Sequence, residues 1–267
     1  MLYSGKCNRI KNMKFNFSCF WAATLFIFAI TLAHGQVSVT SSYSQNFNSL
    51  GTALPRGWDV WTSSSLTGNG TAFTWSGTPV ANNASASASN YFRNLPGETQ
   101  TWTASLSSGA DRAIGWRADS AGARDGSITF TFSSTSNWSI TGLSFDLFTP
   151  NNSGSVATFN LEYQIGSSGT FAQLAGKSYT TNTPQNPLTI TSIVLTALDL
   201  MPLNDQSGQV TLRLNNTATN GTSWNTLALD NFSYTASPIP ESSTYALLGG
   251  FAALGLVAYR RKTRLSR

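Results

Sequence analysis

The alternation of apolar and polar residues along 126–132 constrains the fold of this chain more than any other feature. Ile128, Phe130 and Phe132 fall on one face of an extended strand, because successive side chains of a strand point to opposite faces. The same period recurs in short segments separated by Gly, Asn, Ser, Thr and Pro: 73–75, 143–147, 159–163, 188–190, 210–214 and 227–234. This spacing predicts an all-β antiparallel sandwich, and the length suits a jelly roll.

The N-terminal region carries an apolar run of a different kind. Four basic residues precede an uncharged stretch, 15–32, that is rich in Phe, Leu, Ile and Ala. Ala33 and Gly35 follow at the positions that a signal peptidase reads, so the pattern predicts a signal helix over 1–35 with cleavage before Gln36. An uncleaved membrane anchor is the alternative, and Met13 is an alternative start of the chain.

The C-terminal region, 238–267, contains a second apolar run. Residues 244–259 carry no charge, and a basic tail begins at Arg260, Arg261 and Lys262. Sixteen helical residues span roughly 24 Å, against about 30 Å for the hydrocarbon core of a bilayer. The segment therefore predicts a single hydrophobic transmembrane helix over 244–259 with a basic stop. The short linker at 237–240 separates it from the predicted domain over 36–237.

A short motif, Pro240-Glu241-Ser242, precedes this predicted helix, so that motif, helix and basic tail follow one another along the chain. This tail resembles the PEP-CTERM sorting signal of exported proteins in Gram-negative bacteria that make exopolysaccharide. Ser242 stands where that family usually has a second proline. The resemblance implies that an exosortase recognises the motif in an inner-membrane intermediate and removes the tail, which delivers the protein to the cell surface or outside the cell. An ordinary tail anchor is the alternative.

The basic charge of the chain belongs to its two ends. The formal net charge is +5, yet residues 36–237 hold seven basic and ten acidic side chains. A weakly acidic domain provides no stripe of positive charge for tracking phosphates, so a nucleic-acid partner is not expected.

Cysteine and histidine occur only in the first 34 residues, as Cys7, Cys19 and His34. The predicted mature domain therefore has no disulfide, no thiolate or imidazole zinc site, and no Ser-His-Asp or Cys-His catalytic set. A domain of about 200 residues is large enough to be held together by its own core.

Three segments of the middle region, 46–51, 113–117 and 228–234, resemble parts of the jelly-roll domains found in bacterial surface proteins. The resemblance implies that the first and last strands pair in one sheet. It also implies a carbohydrate-binding or structural role.

Carboxylates are the remaining groups that could take part in catalysis or metal binding. Asp146 and Glu162 are predicted to lie on neighbouring strands, but no motif singles out an acid and a base, so an enzyme is not expected. Calcium binds clustered oxygen ligands, and Asp119, Asp125 and Asp230 are the candidates, with Asn46 a neighbour if the end strands pair. The competing interpretation is an ordinary Asp-Gly turn at residues 125–126 and solvated carboxylates elsewhere.

Seven tryptophans lie in the predicted mature domain, and exposed ones can stack on sugar rings. Trp58 and Trp61 are three residues apart, so in a strand they point to opposite faces. Trp61, Trp102 and Trp224 are the candidates for glycan stacking, while core packing is the alternative for each.

The sequence thus predicts an exported, exosortase-processed, non-enzymatic surface or extracellular-matrix protein that associates with exopolysaccharide. The alternative is a lectin-like carbohydrate-binding module, with calcium as its only candidate cofactor.

Overall fold

The computed structural model is an all-β antiparallel sandwich of two six-stranded sheets. It describes residues 35–75, 77, 79, 92–98, 111–117, 125–151, 156–181, 189–216, 225–241, 246–247 and 249–256. The strands are β1 (Ser42–Gln45), β2 (Trp58–Thr62), β3 (Thr71–Ala72), β4 (Phe92–Pro96), β5 (Arg112–Trp116), β6 (Ser127–Phe132), β7 (Trp138–Asn151), β8 (Thr158–Ile165), β9 (Ala172–Thr180), β10 (Thr191–Thr196), β11 (Val210–Asn216) and β12 (Thr226–Pro238), with a 3-10 turn at Met201–Leu203.

The first sheet has the strand order β10-β7-β12-β5-β4, and β1 also pairs with β12. Gln45 of β1 lies opposite Phe232 of β12 in an antiparallel register. The pairing of the first and last strands is therefore confirmed.

The second sheet has the order β3-β2-β6-β11-β8-β9. In β6 the predicted inward residues Ile128, Phe130 and Phe132 are all buried. Because this alternation continues in β2, β11 and β8, one face of the second sheet is apolar and the other is polar.

Aromatic rings join the two sheets in the core. The Phe232 ring centroid, from the first sheet, lies 4.9 Å from that of Trp58 and 4.7 Å from that of Phe130 in the second. The indole N–H of Trp58 donates to the Tyr43 hydroxyl at 3.2 Å, which satisfies its one donor inside the core. The core is thus held by rings with no disulfide in the described part of the chain.

Two predicted strands are displaced. Of the segment predicted at 188–190, residue 188 lies outside the described residues and 189–190 precede the strand. The observed strand is β10, in which Ile193 and Leu195 point inward and pair with β7. Instead of the predicted strand at 73–75, the short β3 ends at Ala72, and the Phe73 N–H donates to the Val60 carbonyl at 2.9 Å. In both cases the register of the neighbouring strand decides which residues pair.

The first two residues of the predicted linker at 237–240 are the end of β12. Pro238 lies opposite Trp138, and the Ile239 N–H donates to the Asn137 carbonyl at 2.8 Å. Proline normally breaks a strand, but at the last position of a strand its missing N–H costs no ladder hydrogen bond.

The predicted transmembrane helix over 244–259 is described only at 246–247 and 249–256, which are helical and expose Leu247, Phe251, Leu254 and Leu256. Within the described ranges, no helix reaches the length and apolar character needed to cross a membrane. The predicted signal helix over 1–35 lies outside the described residues apart from Gly35.

Candidate functional site

The outward side of the second sheet carries rows of polar side chains that face one another across the strands. We call this side the polar face and define it by Trp61, Thr129, Glu162, Arg213 and Asn215. Thr129 of β6 lies opposite Arg213 of β11, which lies opposite Glu162 of β8. In the next row, Trp61 and Asn215 flank Ser127 on either side.

These polar side chains are buried, which is unusual for the outward side of a sheet. Arg213 is only 1% exposed and Asn215 only 5%. Part of the cover is the loop between β2 and β3, residues 63–70, which we call the strap. It crosses the polar face far enough for the Leu66 carbonyl to accept a hydrogen bond from the Phe171 N–H, which precedes β9, at 2.8 Å.

Arg213 lies at the centre of the polar face. Its Nε donates to Glu162 Oε2 at 2.6 Å, its Nη1 donates to the Gly68 carbonyl of the strap at 3.1 Å, and its guanidinium carbon lies 3.5 Å from the centroid of the Phe171 ring. Burial lowers the pKa of Arg213, while the hydrogen bond and the negative charge of Glu162 oppose that decrease. The positive charge of Arg213 is therefore neutralised by the negative charge of Glu162 on the same face of the sheet.

Three polar atoms around Arg213 have no hydrogen-bond partner. They are Arg213 Nη2, Asn215 Oδ1 and Asn69 Oδ1 of the strap. The great majority of buried polar atoms in proteins are hydrogen-bonded. Each exception needs an explanation, such as a bound water, ion or ligand. The polar face thus retains hydrogen-bonding capacity beneath the strap.

Trp61 differs from the other described tryptophans because it is half-buried on the polar face. Its indole N–H donates to Thr129 Oγ1 at 2.9 Å, while Trp58 is 2% exposed and packs in the core. The prediction that these two rings lie on opposite faces is confirmed. Trp75 and Trp116 are buried, Trp138 is half-buried, and Trp102 and Trp224 lie outside the described residues.

Of the predicted calcium ligands, the two that the structure describes, Asp125 and Asp230, lie on opposite sides of the sandwich. Asp125 is exposed, and its main-chain carbonyl accepts a hydrogen bond from the Ser64 N–H of the strap. Asp230 lies on the outward side of the first sheet, across the sandwich from the polar face, and Asp119 lies outside the described residues. The Asp-Gly segment at 125–126 leads directly into β6, which is the turn that the competing interpretation predicts.

Asp230 instead belongs to a group of four carboxylates that sequence reasoning missed. Asp146 lies opposite it in β7, and Glu98 and Asp111, at the joined ends of β4 and β5, interact with it electrostatically. We call Glu98, Asp111, Asp146 and Asp230 the acidic cluster. Its members are far apart in sequence, and only the strand order β7-β12-β5-β4 brings them together.

The environment of Asp230 disfavours its negative charge. Asp230 is 0% exposed, and its Oδ1 accepts the Asn231 N–H at 2.7 Å. The main-chain N–H groups of Asn231 and Glu98 both act to lower its pKa. Burial raises the pKa of Asp230 to about 8, and the charges of Asp111 and Glu98 add to that increase. Burial and the charges of Asp146 and Asp111 likewise raise the pKa of Glu98.

Other oxygen-bearing groups surround the acidic cluster. Asn231 Nδ2 donates to Asp146 Oδ2 at 3.1 Å, and Ser192 Oγ donates to Asp146 Oδ1 at 2.5 Å. The predicted neighbour Asn46 follows Gln45, whose partner Phe232 is next to Asn231. Among the described residues, however, no group of three or more Asp, Glu, His or Cys side chains is arranged to hold a metal ion.

The two carboxylates considered for glycoside hydrolysis are not on neighbouring strands. Asp146 is in the first sheet and Glu162 is in the second, where it is paired with Arg213. The sequence reasoning placed them together because their strands are consecutive, whereas the chain crosses from one sheet to the other between β7 and β8.

The predicted sorting motif follows directly after the last strand of the sandwich. Pro240 and Glu241 are exposed directly after Ile239, and Ser242, Arg260, Arg261 and Lys262 lie outside the described residues. At the predicted cleavage position, Arg56 Nε donates to the carbonyls of Gly35 and Gln36 at 3.3 and 2.9 Å, and Ala33 lies outside the described residues.

No family model matches the chain, and no curated protein matches it significantly. Among solved structures, it is similar to a family 28 carbohydrate-binding module specific for non-crystalline cellulose (13% identity, 75% of this chain and 96% of that chain, TM-score 0.40). It is also similar to the K1 cleaved adhesin domain of Lys-gingipain from Porphyromonas gingivalis (11%, 74% and 99%, 0.41) and to a family 11 carbohydrate-binding module from Clostridium thermocellum (10%, 76% and 100%, 0.37). These similarities are too distant to transfer a ligand or a role to any residue.

Proposed function

We propose that this chain is an exported, non-enzymatic protein of the bacterial surface or extracellular matrix whose sandwich binds carbohydrate through the polar face. The observation that carries the proposal is a half-buried tryptophan ring, Trp61, beside buried polar groups with unused hydrogen-bonding capacity. An aromatic ring packs on the C–H face of a sugar, and a few convergent polar groups fix its hydroxyls. This arrangement favours the lectin-like alternative over a purely structural role.

Saturable binding of a soluble polysaccharide is the expected result for the purified full chain in mild detergent. Affinity electrophoresis against neutral polysaccharides, with an acidic polysaccharide alongside, measures it directly. Migration unaffected by every polysaccharide would contradict carbohydrate binding.

Sorting through the C-terminal motif is part of the same proposal. It is supported by the sequence order of motif, apolar segment and basic end, and by the exposure of Pro240 and Glu241 directly beyond β12. In a host that makes an exosortase, replacing Pro240 and Glu241 with alanine is expected to leave the tail uncut. Intact mass and cell fractionation report the cleavage and the location.

A matched control for sorting is Pro238→Ala, which changes the same residue type two positions earlier, inside β12. This variant is expected to be processed like the wild type. An unchanged mature mass and unchanged surface release in the Pro240→Ala/Glu241→Ala variant would refute processing at this motif.

Calcium binding at the acidic cluster is a second proposal, supported by the burial and the mutual electrostatic repulsion of its carboxylates, which raise the pKa values of Asp230 and Glu98. Oxygen ligands of this kind suit calcium, and a divalent cation would remove the repulsion among them. Because no cage is already formed, these side chains would have to close around the ion. The acidic cluster replaces Asp119 and Asp125 as the proposed partners of Asp230.

A further inference from the structure

We propose that Arg213, Asn215 and Asn69 form a subsite for one uncharged sugar residue beneath the strap, and that the strap opens to admit it. This inference rests on the proposed carbohydrate binding and names the groups that would recognise the ligand. The sequence already singled out Trp61 as a candidate for glycan stacking. The subsite adds Arg213, Asn215 and Asn69, which no sequence pattern marked.

The first support is the complement of unused hydrogen-bonding atoms. Arg213 Nη2 is a donor, and Asn215 Oδ1 and Asn69 Oδ1 are acceptors. Arg213 and Asn215 are two residues apart on the same side of β11, and Asn69 is adjacent to Gly68, whose carbonyl accepts from Arg213. A sugar hydroxyl both donates and accepts hydrogen bonds. Two neighbouring hydroxyls of one sugar could therefore accept from Arg213 Nη2 and donate to the Oδ1 atoms of Asn215 and Asn69.

The second support concerns charge. Glu162 Oε2 lies 2.6 Å from Arg213 Nε, so the guanidinium already has its counter-ion. An acidic sugar would bring a second negative charge next to Glu162, which would cost free energy in a buried setting. The balanced pair therefore favours a neutral polyhydroxyl ligand over a uronate or a sulfated sugar.

The third support is the way in which the strap is held. Its contacts with the sheet are polar: the Ser64 N–H donates to the Asp125 carbonyl, Ser64 Oγ lies 2.9 Å from Ser127 Oγ, and Gly68 accepts from Arg213. Its one large apolar side chain, Leu66, is 64% exposed and does not anchor it. Hydroxyl groups of a ligand can replace such contacts without the loss of buried apolar area.

The ends of the strap are suited to act as hinges. Ser63 and Gly70 both have positive φ, at 58° and 97°, and they flank the strap next to the paired residues Thr62 and Thr71. Rotation at these two positions would move the strap without disturbing the pairing of β2 with β3. Since the subsite is closed in this structure, opening of the strap is a required step of binding.

The test is the affinity of full-chain variants, in mild detergent, for the neutral polysaccharides used above and for one acidic polysaccharide. Asn215→Ala is expected to weaken binding of a neutral polysaccharide about tenfold, because the unpartnered acceptor Oδ1 is removed. Asn69→Ala, on the strap, is expected to act in the same direction. Thr211→Val, on the same side of β11, is the control that should keep wild-type affinity.

The possible outcomes separate this inference from the proposed function. Wild-type affinity in both asparagine variants, with loss of binding in Trp61→Ala, would overturn the subsite and leave carbohydrate binding intact. Preference for the acidic polysaccharide would overturn the assignment of an uncharged ligand. Absence of binding in the wild-type chain would overturn both.

Discussion

Replacing Asp230 with asparagine is expected to stabilise the sandwich at pH 8 in calcium-free buffer. Because burial raises the pKa of this carboxyl to about 8, the folded state keeps the proton over a range where the unfolded state has lost it. The contribution of Asp230 to the free energy of unfolding of the wild type should therefore be greatest below about pH 4. It should fall as the pH rises to about 8 and stay constant at higher pH. The full difference amounts to about 6 kcal/mol. Asparagine cannot lose a proton, so its variant should lack this decrease.

Calcium should reverse the effect. Added calcium is expected to raise the unfolding temperature of the wild type at pH 8, since the ionised carboxylates bind the ion, and to have little effect on Asp230→Asn. Urea unfolding between pH 5 and 9, with chelator or with calcium, measures both arms. Asp125→Asn is the control, because that side chain is exposed and apart from the acidic cluster. A wild-type stability that neither calcium nor this pH range alters would refute the calcium proposal.

Removing the carboxylate of Glu162 is expected to destabilise the second sheet by about 3–5 kcal/mol in Glu162→Ala. The change leaves the buried guanidinium of Arg213 without its counter-ion, and the loss of one partner of a buried pair carries a penalty of this size. Replacing both partners, as Glu162→Leu/Arg213→Met, should cost much less, because no charge is left buried. Chemical denaturation of the three proteins gives the comparison.

An exposed ion pair would behave differently, with a loss of at most about 1 kcal/mol. That result for Glu162→Ala would mean that solvent reaches Arg213 and that the strap does not seal the polar face. The single variant also bears on binding, since an uncompensated guanidinium should raise the affinity for acidic polysaccharides relative to neutral ones.

Local patterns were sufficient to predict the sandwich. Alternation in 126–132 identified the inward face of β6, and the resemblance of 46–51 and 228–234 to surface-protein domains predicted the pairing of the end strands. The displaced strand β10 shows the limit of this approach. Apolar and polar residues alternate in β10 just as regularly as in 188–190. Only the pairing register with β7 decides which of the two segments forms the strand.

The candidate sites depended on topology, which the sequence does not reveal. Asp230 was singled out, but its partners come from elsewhere in the first sheet: Asp146 from β7, and Glu98 and Asp111 from just beyond the ends of β4 and β5. Likewise, outward polar residues such as Thr129 and Arg213 normally predict a solvated face. The strap covers part of this face, together with the rings of Trp61 and Phe171, and a loop of small polar residues gives no sign in the sequence that it will cross a sheet.

Isothermal titration of the full chain with a neutral polysaccharide that it binds is the most direct test of carbohydrate recognition by the polar face. The variants to compare are Trp61→Ala and Trp138→Ala, which each remove a half-buried indole, one from the polar face and one from the first sheet. We expect Trp61→Ala to lose at least tenfold in affinity, since aromatic contacts dominate such sites, and Trp138→Ala to bind like the wild type. Equal affinity in all three proteins, each with its fold confirmed by circular dichroism, would contradict the polar face as the binding site.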